Sequence, residues 1–110
     1  MPSINVEETS SQMLAAAKAV FADKWPEVEK FAKSETKKFA QNMLEIQKWK
    51  HDNEITESEA KSLTKLHQRS MKMVFTALEG ISLALAEKAI NSALDVVRSA
   101  INSAIGWPVL

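Results

Sequence analysis

The chain has 110 residues, with 14 lysines and arginines balanced by 14 aspartates and glutamates, two histidines and no cysteine. A length of this order suits one domain, residues 1–110, able to bury a core of its own, and the zero net charge removes any bulk pull toward nucleic acid or anionic lipid, so a charge-driven partner must use a local patch. Without cysteine neither disulfides nor thiolate metal sites contribute, which suits a reducing, cytoplasmic setting.

The opening Met1-Pro2-Ser3-Ile4-Asn5 lacks the basic and apolar regions of a secretory signal. The longest uncharged stretches, Gly80 to Ala86 and Ser99 to Leu110, fall well short of the roughly 20 residues a membrane-spanning helix needs. No integral membrane association is expected. Glycine and proline are scarce and no window alternates as a strand would, so the chain is predicted to be all-α.

The first predicted helix covers about 7–24, with small polar residues and Glu7 and Glu8 at its start. Trp25-Pro26 interrupts it, and the acidic turn behind Pro26 opens a second helix over about 26–51. Leu14, Ala17, Phe21, Trp25, Val28, Ala32, Phe39, Met43 and Ile46 keep one helical phase through the interruption, which predicts a kink there and not a chain reversal. Glu35 and Asn42 break that stripe, and a polar residue in such a place can set register or oligomeric state.

His51-Asp52-Asn53-Glu54 reads as the chain reversal. Thr56 and Glu59 then have the spacing of a capping box, opening a helix over about 56–79. Gly80 separates it from a last helix over about 81–105, which Gly106 and Pro108 end. Antiparallel pairing about the turn brings Pro26 level with Gly80. The expected architecture is an antiparallel helical hairpin or bundle of three to four helices, with both arms interrupted at those residues.

The two halves of the second arm disagree. Before Gly80 the apolar stripe is Leu63, Leu66, Ser70, Met73, Val74, Ala77, Leu78 and Ile81, opposite Lys61, Lys65, Arg69 and Lys72. After it, Ala86, Ala89, Ile90, Ala93, Leu94, Val97, Ala100, Ile101 and Ala104 form a wide arc rotated by roughly 140°. One straight helix would bury opposite sides along its length, so either the chain bends at Gly80 or the last helix packs on another subunit. The arc is therefore the candidate interface.

A second candidate is a basic patch, Lys37, Lys38, Arg69 and Lys72, which antiparallel pairing places at similar height and which could hold a phosphate or an acidic partner. Helical-bundle metal centres need Glu-x-x-His on inward faces, but Lys48 and Thr64 stand three residues before His51 and His67. The serines have no glycine-rich elbow, and two isolated glycines build no phosphate loop. No catalytic residue, metal or cofactor is expected. The aromatic residues follow helical spacing and read as core.

These features favour a non-catalytic helical interaction or assembly protein that self-associates, as a homodimer first, through its C-terminal amphipathic helix. The alternatives are a protein whose last helix lies on a membrane surface or joins a pore, and a binder of an acidic partner through the basic ridge. Nucleic acid is the less expected target of that ridge.

Overall fold

The computed structural model of the chain describes residues 3–110, which leaves Met1 and Pro2 of the opening segment outside it. Four helices follow in order: α1 (Val6–Phe21), α2 (Trp25–His51), α3 (Glu57–Thr76) and α4 (Leu83–Ile105), with one 3-10 turn, Ala22–Lys24, between the first two. The chain is all-α, as the composition predicts.

Helix starts follow from side chains that satisfy otherwise unpaired amides. Asn5 Oδ1 accepts from the Glu8 amide at 2.9 Å, and Ser82 Oγ accepts from Leu85 at 3.1 Å. At α3 the predicted capping box is complete, with the Glu59 amide donating to Thr56 Oγ1 at 3.1 Å and the Thr56 amide to Glu59 Oε1 at 2.9 Å. Those bonds hold the Glu59 carboxyl below its ordinary pKa, because they favour the charged form. At the other end of the chain, Gly106 has the left-handed φ of +87° expected of a helix-ending glycine. Its amide donates to Asn102 O at 2.8 Å.

The junction of α1 and α2 is a full reversal and not the expected kink. At 1.5 Å per residue a rod over residues 6–51 would run about 69 Å, whereas the longest molecular dimension is 43 Å. The Ile4 amide donates to Gln47 Oε1 at 2.8 Å, across 43 residues of sequence. Ala22 takes the corner at φ +50°. Helical phase persists through the corner because the two arms of a tight hairpin face the same core.

A second reversal uses Asp52 to Thr56, and a third uses Ala77 to Ser82, where Gly80 sits at φ +79°. The result is an up-down-up-down four-helix bundle. At one end Gln47 joins the start of the chain to the end of α4, donating to Ala104 O at 3.0 Å. At the opposite end the Phe21 and Phe75 rings lie 5.5 Å apart. α4 packs most extensively on α1, so the last helix closes a ring begun by the first.

α3 turns a different side inward from the one predicted. Its buried residues are Ala60, Thr64, Met71 and Phe75, while Leu66 and Met73 are 55% and 70% exposed. The buried side is rotated by roughly 110° from the predicted stripe on a helical wheel. Phe75 and Met73 point nearly opposite ways on a helix, and the larger ring goes to the core, where Phe21 and Trp25 already meet. Ala60 and Thr64 are small enough for close approach to α2, and Thr64 Oγ1 donates to Ala60 O at 2.8 Å.

Candidate interaction surface

The α4 arc is enclosed by this chain's own helices. Ala86, Ala89, Ile90, Ala93, Leu94, Val97 and Ile101 are buried within the bundle, leaving Ala104 half-buried and Ala100 exposed. The chain bends at Gly80, so the misfit that motivated an intersubunit interface is resolved inside one molecule. Between the observed buried sides of α3 and α4 the offset is roughly 70° on the same wheel, about half that read from the apolar pattern.

The four residues of the predicted basic patch do not come together. Lys37 points along the α1 flank, with its Nζ 3.7 Å from a Glu7 carboxylate oxygen. Lys38 stays on its own helix, 3.3 Å from Glu35, which accounts for that buried carboxylate. On the far flank Lys72 reaches Glu87 of α4 at 2.7 Å. Arg69 lines the groove between α3 and α4, a cavity of about 280 Å³ that it shares with Gln68, Lys72, Glu87, Ile90, Asn91 and Leu94.

The polar groups near the core have structural partners. Thr36 Oγ1 donates to Ala32 O at 2.8 Å, and Ser10 Oγ to Glu7 O at 3.2 Å. Lys50 Nζ stands 4.8 Å from the centroid of the Trp107 ring, a cation–π contact that seals the foot of α4. Asn102 clasps the C-terminal residue, accepting from the Leu110 amide at 3.0 Å and donating to its carbonyl at 3.3 Å. Among the described residues no group of three or more histidines and carboxylates converges as metal ligands would.

Asn42 Nδ2 lies 3.1 Å from His67 Nδ1, linking α2 to α3. Donation from the amide requires that nitrogen to be unprotonated, with the ring proton on Nε2. Burial pushes the imidazole below its ordinary pKa of 6.5, while the nearby Glu45 carboxylate pulls it partly back. The folded state therefore binds this proton less readily than the unfolded chain. Stability from this group is complete above pH 6.5 and is expected to fall as pH drops toward the lowered folded value, below which the loss is complete. Melting curves between pH 8 and 5 should show that decline, and His67→Gln should flatten it; a decline equally steep in the variant would assign it to other groups.

What remains unaccounted for is the outer side of α3. Leu63, Leu66, Ser70, Met73 and Ala77 recur at intervals of three and four residues, the spacing of a coiled-coil seam. Leu63 is half-buried and the other four are exposed. Residues 60–78 also contain four cations, Lys61, Lys65, Arg69 and Lys72, and no aspartate or glutamate. Lys61 is tied to Glu57 at 2.9 Å and Lys72 to Glu87. Among the described residues neither Lys65 nor Arg69 has an acidic group within ion-pair distance. The spacing signal was present in the sequence, but it reads as core until Phe75 claims the inward direction.

No family model matches the chain, and neither a curated protein nor a solved structure matches it.

Proposed function

We propose that this chain is a non-catalytic helical interaction module whose docking surface is the outer seam of α3. The observation that carries the reading is the exposure of Leu66 and Met73 at coiled-coil spacing, on a helix whose other side belongs to the core. Scattered surface apolar residues need no explanation, but an ordered row of them on one helix marks a place for another helix. The hydroxyls of Ser10, Thr36 and Thr64 are engaged in helix-backbone bonds, which favours a structural over a chemical role for them.

The contact then lies on α3, with the α4 arc kept for the core. Self-association through the α4 arc, or its departure to a membrane surface, would first require opening the bundle and exposing Val97, Ile101 and Ile105, each 1% exposed.

A photo-crosslinking residue placed at Met73, with Val96 of α4 as the control, tests the reading in cells that make the protein. Val96 is 53% exposed and lies away from the seam. Discrete adducts are expected from position 73 alone, and they should vanish when Leu66→Glu is added. Adducts of equal yield from both positions, or none from position 73, would remove the surface.

A further inference from the structure

We infer that the occupant of the α3 seam is an acidic amphipathic helix of another protein. The inference rests on the docking role of that seam and adds the chemistry of what binds there. The row from Leu63 to Ala77 covers 14 steps of helix, about 21 Å at 1.5 Å per residue, which is the reach of a helix of two to three heptads laid alongside.

Size alternates along the row. Leu66 and Met73 project as knobs, and Ser70 and Ala77 leave hollows beside them. A partner helix with large apolar residues at its own a and d positions would fill those hollows. The flexible thioether of Met73 adapts to the fit.

The charges select the sign of the partner. Lys65 and Arg69 lie on the α4 side of the seam without ion-pair partners among the described residues, and no carboxylate interrupts residues 60–78. Glutamate or aspartate flanking the partner's apolar row would meet both cations. The opposite flank offers His67 and Val74, with the Glu45 carboxylate of α2 near His67, so the seam presents its free positive charge on the α4 side alone.

A second copy of this chain fits less well. A two-fold pairing with the α3 helices antiparallel sets Lys65 and Arg69 of the two copies on the same side of the seam, where they repel. A parallel pairing sets Arg69 against Val74, which gives no charge complement. A lipid surface is also a poorer match, because the exposed row is narrow and its unpaired cations stand on one flank only.

Two synthetic three-heptad peptides test the inference on the intact, isotope-labelled protein. Both carry leucine at a and d; one has glutamate at e and g, the other lysine. The acidic peptide should shift the amide resonances of Leu66, Ser70 and Met73 and bind at least roughly 10-fold more tightly than the basic one, with the advantage shrinking as salt is raised. Arg69→Glu should narrow or reverse the preference, and Leu66→Glu should abolish binding. Both residues are exposed, so both variants should melt with the unaltered protein, and a melt confirms that the fold is intact in each.

Equal binding of the two peptides, or shifts confined to other helices, would overturn the inference. So would a dimer in sedimentation that Leu66→Glu splits, which would assign the seam to a second copy, and so would flotation with phosphatidylserine vesicles that the same variant abolishes. If neither peptide binds while position 73 still yields Leu66-dependent adducts, the docking surface stands and its acidic-helix occupant does not.

Discussion

Phe21→Ala is expected to lower the stability of the bundle by about 3–5 kcal/mol, the usual consequence of emptying a buried phenylalanine site. Phe21 is 1% exposed and ends α1, with the Phe75 ring of α3 at 5.5 Å and the Trp25 ring of α2 at 6.5 Å. Removal of the ring therefore loosens three helices at once, at the end of the molecule where two reversals lie. Domains of this size carry a net stability of about 5–15 kcal/mol, so the variant should retain the fold only marginally. With a slope of about 1–3 kcal/mol per molar urea, the midpoint should fall by about 1 M or more. Met73→Ala is the matched control, expected to change stability by no more than about 0.5 kcal/mol because that side chain lies outside the core. Comparable losses in the two variants would mean that α3 is turned the other way, with Met73 inward.

The second large effect is expected from a chain that stops at Ser82. Ile90, Leu94, Val97, Ile101 and Ile105 are all buried in α4. At about 1.5–3 kcal/mol for each large aliphatic side chain, together they contribute on the order of the whole net stability. The shortened chain should lose helical circular dichroism well beyond the share of the missing residues, and it should show no cooperative thermal transition. A sharp transition in residues 1–82 would make α4 an accessory to a smaller bundle, and the arc on α4 would again be available to a partner.

What could be read in advance divides along the range of the interactions involved. Thr56 with Glu59 and the Gly106 stop are decided within one helical turn, and both appear as expected. The wide apolar arc of the last helix was also legible. It has α1 and α3 beside it and α2 across the bundle. The corner at Ala22 left no comparable mark, because an alanine at positive φ carries none of the glycine signal that a tight reversal usually shows. The inward side of α3 depended on a long-range competition, since one rotation of the helix buries Phe75 and another buries Met73, and only the aromatic neighbours on α1 and α2 decide between them. The half-buried link between Asn42 and His67 depends likewise on which sides of α2 and α3 meet, and neither residue's place along its own helix marks it.

The ring that α1 and α4 complete has a bearing on synthesis. A ribosome delivers this chain from its amino end, and the helix on which α1 packs most extensively is the last to emerge. Until then the nascent polypeptide has no closed core, and Met13, Phe21, Val28 and Phe39, all buried in the finished molecule, stay open to solvent. Apolar side chains left open in this way form a sticky surface of the kind that chaperones engage, and stalling within residues 83–105 should lengthen its lifetime.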